Sequence, residues 1–112
     1  MEVAVCEDIL RVSGITELAA PNSDSFRRQV RAALPGSTLQ AVEIDLSQTQ
    51  FIDSCGLGAL IAVQKCATNH NGNGAVPVRL LNPTPSVQHL LELTRLHRNF
   101  EIIRNGEIQP SE

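Results

Sequence analysis

The residues with the clearest chemical potential lie near the middle of the chain, where an apolar stretch ends in Asp53 and Ser54. Glycines follow at positions 56 and 58, and the segment then continues with the apolar spacing of a helix. Glycine costs about 1 kcal/mol per helix-interior position relative to alanine, so two of them in a first turn require a reason. Bare backbone at a helix start lets a partner or an anion approach the free amide groups there. We therefore expect a reversible charge switch centred on the Ser54 hydroxyl.

Other kinds of site fit this segment less well. Asp53 and Ser54 are also favoured helix-capping residues, so a purely structural cap stays open as an interpretation. A dinucleotide-binding turn would need a third glycine where the chain has Ile61, and a hydrolase elbow would need one at Ile52. Cys55 is expected to be a small packed thiol, with a redox role as the minor alternative. The histidines show no metal-ligand spacing, and we predict no catalytic residue and no metal site.

The composition of the 112-residue chain excludes several broad functions. A net charge of −3 gives no general support for binding a phosphate backbone, and three Phe with no Trp or Tyr offer few stacking surfaces for single-stranded nucleic acid. No run approaches the roughly 20 apolar residues that span a bilayer, and the N-terminal sequence does not resemble a signal peptide. Three cysteines without Cys-x-x-Cys spacing indicate reduced thiols, so we expect a cytoplasmic protein.

Apolar patterning predicts strands that alternate with helices. One or two strands are predicted over Val3–Cys6 and Ile9–Val12, further strands over Ala41–Leu46 and Val76–Leu81, and a last strand or extended piece over Phe100–Ile103. The predicted helices are one capped by Asn22 or Ser23 and closed by Pro35-Gly36, one from Ser54 to about Thr68, and one capped by Thr84 with Pro85 in its first turn. This order predicts an α/β fold with a partly parallel sheet. In such sheets ligand sites lie where strand carboxyl ends meet helix starts, which is the predicted position of Ser54.

Two segments of the chain carry a recognisable signature. The first is Asp45-Leu-Ser followed by Phe51-Ile-Asp-Ser-Cys-Gly-Leu-Gly-Ala-Leu, and the second comprises Leu81-Asn-Pro-Thr-Pro-Ser-Val and Leu91-Glu-Leu-Thr-Arg-Leu. Together they resemble the STAS domain family, specifically its anti-sigma-factor antagonists, over about residues 3–103. The resemblance implies one STAS domain over residues 1–112, with a core at about 3–103 and a polar tail at 104–112. It also implies a mixed sheet of four to five strands, with three or more helices packed mainly on one face.

The resemblance implies a protein-binding role that is controlled by phosphorylation. In the family, the serine after the aspartate is phosphorylated by an anti-sigma factor that is also a serine/threonine kinase, and that serine maps onto Ser54. The unphosphorylated form binds the anti-sigma factor and releases a sigma factor, and a PP2C-type phosphatase restores it. ATP is bound by the kinase, so the chain is expected to be no enzyme and to hold no cofactor. The expected partner-binding residues are Asp53, Ser54, Cys55, Gly56, Leu57 and Gly58.

The sequence departs from the family pattern at two places, and two rival functions stay open. Cys55 stands where a second hydroxyl residue is usual, and the segment from Gly14 to Phe26 differs in a region that contributes to partner contact in the family. The identity of the kinase is therefore open. The rival functions are a phosphorylatable scaffold of a stress-signalling complex and a module that binds a small anion or nucleotide. We expect no direct contact with nucleic acid or membrane, and a monomer or weak dimer.

Overall fold

The computed structural model describes residues 1–33, 40–70, 76–98 and 100–108. Within these ranges the strands are β1 (Glu2–Cys6), β2 (Ile9–Ser13), β3 (Glu17–Leu18), β4 (Ala41–Asp45), β5 (Phe51–Ile52), β6 (Val78–Leu81), β7 (Glu101–Arg104) and β8 (Glu107–Ile108). The helices are α1 (Ala20–Ala33), α2 (Ser54–His70) and α3 (Pro85–Leu93), followed by a 3-10 turn at Leu96–Arg98. The predicted helix end at Pro35-Gly36 and residues 109–112 lie outside the described residues.

Six of the strands form one mixed sheet in the order β1-β2-β4-β6-β7-β8. The four inner strands run parallel, whereas β1 and β8 pair antiparallel at the two edges. Five strands have four or five residues, and two residues of β8 are described. The combination of parallel and antiparallel pairs confirms the predicted mixed α/β sheet. The short sixth strand forms because the chain turns back at Asn105 and Gly106, both with positive φ. The sequence predicts a strand or extended piece at Phe100–Ile103, where β7 lies, but it assigns β8 to the polar tail at 104–112.

The two faces of the sheet differ in chemistry. On one face, fully buried strand residues pack in a single core with residues from all three helices: Leu10, Val12, Val42, Ile44, Leu80, Phe26, Val30, Leu60, Val87 and Leu91. The opposite face carries a row of charged residues on neighbouring strands: Arg11, Glu43, Arg79 and Glu101. Ion pairs of 3.0 to 3.8 Å join this row. Since successive strand residues point to opposite faces, the helices pack mainly on the apolar face, as predicted.

The start of α1 differs from the prediction. The helix begins at Ala20, and Pro21 lies in its first turn, where a missing N–H costs no helical hydrogen bond. Asn22 caps the helix from inside, because its side-chain oxygen accepts from the Ala19 N–H at 2.8 Å and its NH2 donates to the Glu17 carbonyl at 2.7 Å. The predicted helix start after Pro21 is therefore wrong. Because α1 begins at Ala20, the Ala20 N–H lies near the residue that precedes α2, Asp53.

Candidate functional site

The loops that follow the parallel strands β2, β4 and β6 are joined by hydrogen bonds at the carboxyl ends of these strands. In the loop after β4, the buried Thr49 hydroxyl donates to the Ile15 carbonyl at 2.6 Å. The Thr84 hydroxyl, at the start of α3, donates to the Thr49 carbonyl at 2.6 Å. Thr84 occupies the predicted capping position, but its side chain makes no capping hydrogen bond. Its hydroxyl instead joins the loop before α3 to the loop after β4, and the Thr49 hydroxyl joins the latter to the loop after β2. Neither link was predicted from the sequence.

A short parallel pair of strands sets the position of α2 relative to α1. In this pair Glu17 lies opposite Phe51 and Leu18 opposite Ile52. The N–H of Asp53 then donates to the Leu18 carbonyl at 3.3 Å, so the pairing continues to the residue before α2. Because α1 begins two residues after β3, the starts of the two helices lie side by side.

Asp53 caps α2 and also reaches α1. Its Oδ1 accepts from the Gly56 N–H at 2.9 Å, and its Oδ2 accepts from the Ala20 N–H at 3.0 Å. The hydrogen bond from Gly56, followed by that from Ala20, lowers the pKa of Asp53 below the ordinary 3.8. Both bonds favour the ionised form, and the positive ends of the helix dipoles add to this preference. The structural-cap interpretation therefore holds for Asp53, which joins two helix starts.

The low pKa of Asp53 makes a testable contribution to stability. Since the folded-state pKa lies below the unfolded value, the contribution is present above pH 3.8 and is lost as pH falls through the folded-state pKa. In Asp53→Asn one oxygen can still accept from Gly56, but the NH2 group cannot accept from Ala20. We expect Asp53→Asn to be less stable than the wild type at neutral pH, with a difference that shrinks below pH 3.8. Urea unfolding across a pH series measures this difference, and one that stays constant into acid would contradict the assignment.

Ser54 is the first residue of α2 and is exposed, as expected. No hydrogen bond with another described residue engages its hydroxyl. Asp53 takes the capping position, so the Ser54 hydroxyl remains accessible at the outer side of the helix start. Cys55 is also exposed and is a free thiol. The prediction of a packed Cys55 is wrong, because the second position of α2 faces away from the core.

The two glycines of α2 have different roles. Gly56 is buried, and a Cβ added there would overlap the Leu18 carbonyl oxygen, 2.7 Å from the carbonyl carbon and 3.0 Å from Ile52 Cγ2. Glycine is therefore required at 56 by the close approach of β3. Gly58 is exposed, and a Cβ added there would meet nothing within 4 Å. Bare backbone open to a partner, expected for both positions, occurs only at Gly58.

The exposed aromatic ring of Phe51, which was not predicted from the sequence, lies three positions before Ser54 in the chain. Phe51 is 54% exposed, whereas the next residue, Ile52, is 6% exposed. The signal was present in the alternation of the strand, since burial of Ile52 turns Phe51 to the opposite side. We call the exposed residues of this segment, Phe51, Ser54, Cys55 and Gly58, the Ser54 surface.

The model of the STAS domain family matches residues 1–109 of this chain. The chain belongs to the STAS domain family. A relative of this STAS domain, the anti-sigma F factor antagonist of Paenibacillus polymyxa, is 31% identical over 97 residues, covering 87% of this chain and 78% of that protein. The resemblance to anti-sigma-factor antagonists that the Asp53–Gly58 segment indicated is thereby confirmed.

The fold of this STAS domain recurs in solved structures. A Thermotoga maritima protein classed as an anti-sigma factor antagonist matches with a TM-score of 0.79 and 22% identity, over 93% of this chain and 85% of that one. The anti-sigma factor antagonist SpoIIAA matches in its unphosphorylated form with a TM-score of 0.71 and 18% identity, over 95% and 88% of the two chains. Its phosphorylated form, from Bacillus, has a TM-score of 0.64 and 17% identity, over 95% and 91%. These likenesses support the STAS-like fold.

Two further observations bound the chemistry of the STAS domain. Among residues 1–33, 40–70, 76–98 and 100–108, no three His, Cys, Asp or Glu side chains come together in a way that could hold a metal ion. Within the same ranges, none of the helices has the length and apolar character needed to cross a membrane. The Ser54 surface remains the candidate functional site.

Proposed function

We propose that this STAS domain is an anti-sigma-factor antagonist that is switched off by phosphorylation of Ser54. The observation that carries the proposal is an accessible hydroxyl at the start of α2, beside a carboxylate already bound by two backbone amides. The unphosphorylated form binds an anti-sigma factor that is also a serine/threonine kinase, and a sigma factor is released. Phosphoryl transfer from kinase-bound ATP to Ser54 ends this binding, and a PP2C-type phosphatase restores it. The chain then acts in the cytoplasm by binding alone, without catalysis or a cofactor.

Two relatives support this proposal by what their names state. One is an anti-sigma F factor antagonist, and SpoIIAA has been solved in both an unphosphorylated and a phosphorylated form. For the present chain, the matching feature is the exposure of Ser54 at the first position of α2. A kinase must bring a hydroxyl in line with a γ-phosphate, and a side chain that projects from a rigid helix start meets that need.

Some residues of the proposed binding surface would touch the partner, and others only support that surface. Ser54, Cys55 and Gly58 are exposed and would touch a partner directly, together with Phe51. Three other members of the predicted set support the surface: Asp53, Gly56 and Leu57. Asp53 holds the two helix starts, Gly56 lets α2 lie against β3, and Leu57 is half-buried and packs on the core.

Electrostatics explains how one phosphoryl group could act as a switch without unfolding the domain. Phosphorylation adds about −1.5 to −2 charges at pH 7, directly beside the ionised Asp53. At the start of α2 the helix dipole favours added negative charge, by roughly 0.3–1 kcal/mol. The dipole offsets part of the repulsion from Asp53, and the phosphoryl group is held by a covalent bond, so the folded domain tolerates the modification. A partner whose contact surface closes over Ser54 in its neutral state must instead desolvate or repel the new charge.

The same electrostatics disfavour the rival function as a small-anion or nucleotide-binding module. Such a module needs free amide groups and positive potential at a helix start. Here the Asp53 carboxylate already accepts hydrogen bonds from the starts of both α1 and α2. An anion at this position would meet a carboxylate whose pKa is lowered and which therefore stays charged at neutral pH.

Phe51 is expected to be an apolar anchor of the partner contact. Exposed aromatic residues at the centre of interfaces often dominate binding, and truncation of such an anchor costs about 2 kcal/mol or more, roughly a 30-fold loss of affinity. We expect Phe51→Ala to weaken binding to the anti-sigma factor by this factor while the free energy of unfolding stays near that of the wild type. Leu93→Ala is the matched control, since Leu93 is 68% exposed near the end of α3. Equal losses of affinity in both variants, measured by titration calorimetry, would contradict the role of Phe51.

Release of a sigma factor is the activity that tests the proposal. Ser54→Ala provides the bait with which the anti-sigma factor is isolated from the native host, and the isolated protein is then purified with its sigma factor. We expect the unphosphorylated domain to displace the sigma factor and restore its transcription in vitro. Prior incubation of the domain with the anti-sigma factor kinase and ATP should abolish this displacement. A stable complex that leaves the sigma factor bound would favour the scaffold function instead.

A further inference from the structure

We propose that this protein associates with a second copy of itself through β1, edge to edge and antiparallel. The proposal is independent of the function proposed for Ser54. Among the described strands β1 pairs only with β2, so one side of its backbone is unpaired. Natural sheets protect such edges by shortness, by charged side chains, especially Lys, or by Pro. At the opposite edge two residues of β8 are described, whereas β1 (Glu2–Cys6) has five residues, of which only Glu2 is charged, and contains neither Lys nor Pro.

The hairpin between β1 and β2 determines which backbone groups face outward. Its two turn residues, Glu7 and Asp8, have φ of 53° and 65°, as in a two-residue type I′ turn. The flanking pair of such a turn, Cys6 and Ile9, is a hydrogen-bonded pair. Because hydrogen-bonded and non-hydrogen-bonded pairs alternate along an antiparallel ladder, the N–H and C=O groups of Val3 and Val5 point away from β2. These groups form the free edge.

The outward groups are self-complementary in one register. When two copies of β1 run antiparallel with Ala4 on the twofold axis, all five strand residues have a partner. Val3 then lies opposite Val5 of the second copy as a hydrogen-bonded pair, which exchanges both of its N–H···O bonds. The twofold axis generates the same pair a second time, between Val5 and Val3 of the second copy. Ala4 faces Ala4 of the second copy as a non-hydrogen-bonded pair, so every outward group of Val3 and Val5 is satisfied.

The side chains of β1 fit the same arrangement. Met1 and Val5 are 45% and 51% exposed, and both lie on the core face of the sheet, since Val5 is opposite the buried Leu10. The apolar layer therefore continues past the sheet edge, where a second copy would cover it. In this register Glu2 lies opposite Cys6 of the second copy, so no like charges face each other.

The size of the contact predicts a weak dimer. A single pair of five-residue strands is a small surface compared with the roughly 1,000 Å² or more of most stable interfaces. Association is therefore expected only at high protein concentration, which makes a covalent trap the most sensitive test.

The test places a thiol on the proposed twofold axis. Ala4→Cys is made in a chain whose exposed thiols are removed by Cys6→Ser and Cys55→Ser, and Ala32→Cys, at another exposed alanine, is the control in the same background. A non-hydrogen-bonded antiparallel pair has Cα atoms about 4.5 Å apart, within the range of a disulfide. Two thiols lose two protons and two electrons to form the bond, and added oxidised glutathione takes them up as two reduced glutathione molecules. We expect Ala4→Cys to form covalent dimers at least about tenfold faster than Ala32→Cys, since the strand pair raises the effective thiol concentration.

A second measurement checks the edge without cross-linking. Ala4→Lys would bring two ammonium groups together on the axis, and Ala32→Lys adds the same charge elsewhere. Like charges directly opposite each other in a sheet cost up to about 1 kcal/mol, so self-association of Ala4→Lys by sedimentation velocity is expected to be roughly fivefold weaker. Equal cross-linking of Ala4→Cys and Ala32→Cys, or a wild type that stays monomeric at every concentration, would overturn the proposal.

Discussion

We expect the Ser54→Asp variant to bind its anti-sigma factor roughly 30- to several-thousand-fold more weakly than Ser54→Ala, because a buried or repelled charge at a contact costs about 2–5 kcal/mol. The Ser54 hydroxyl is accessible and unbonded among the described residues, so Ser54→Ala should remain folded and bind constitutively. The carboxylate of Ser54→Asp would lie at the positive end of the α2 dipole, which keeps that variant folded as well. Titration of both purified variants with the anti-sigma factor measures the ratio of their dissociation constants.

Ser86→Asp is the matched control for this prediction. Ser86 is an exposed serine in the first turn of α3, so the substitution adds the same charge at another helix start. We expect it to leave the affinity close to that of the wild type. A comparable loss of affinity in Ser86→Asp would mean that net charge, rather than the position of Ser54, controls binding.

The second large effect is expected on stability, from the two glycines of α2. Gly56→Ala places a methyl group against the Leu18 carbonyl, and backbone cannot move aside as a flexible side chain can. Overpacking of this kind costs about 1–3 kcal/mol, occasionally more. Gly58→Ala meets no atom within 4 Å, so the better helix propensity of alanine should stabilise it by up to about 1 kcal/mol. We expect the free energies of unfolding of the two variants to differ by about 2 kcal/mol or more, measured by urea denaturation.

A substitution at Gly58 tests the effect on partner binding separately from the effect on stability. A long polar side chain at the exposed position, as in Gly58→Gln, should leave the domain folded but hold a partner away from the Ser54 surface. The affinity for the anti-sigma factor should therefore fall without a matching fall in stability.

For the stability comparison, if Gly56→Ala and Gly58→Ala unfold at the same urea concentration, the close approach of β3 to α2 is not what requires Gly56.

The sequence was most informative where the determinants are local. Alternating strands and helices, the start of α2 at Ser54 and the first-turn position of Pro85 follow from periodicity and capping preferences within a few residues. Contacts between distant segments could not be predicted in the same way. Asp53 and Ala20 are 33 positions apart, and Thr84 and Thr49 are 35 apart. The role of Asp53 as a tie between two helices, and of the Thr84 hydroxyl as a link between loops, depends on tertiary folding.

The role of Gly56 also depends on a distant segment and could not be predicted from the sequence. Its sequence context suggests a bare surface for a partner, as at Gly58, because both glycines fall in the first turn of one helix. Only the position of β3, whose Leu18 carbonyl lies against Gly56, separates an internal packing requirement from an open surface. The exposure of Phe51 could have been predicted from strand alternation, but β5 has two residues and gives a weak pattern.

Phosphopeptide mapping tests whether Ser54 is the residue that switches binding. The protein is isolated from growing and from stressed cells of its own host, digested, and analysed by mass spectrometry. We expect one phosphoryl group, on Ser54, whose occupancy changes between the two conditions. Phosphate on another residue, or no phosphate on Ser54 under any condition in which the protein controls its partner, would contradict it.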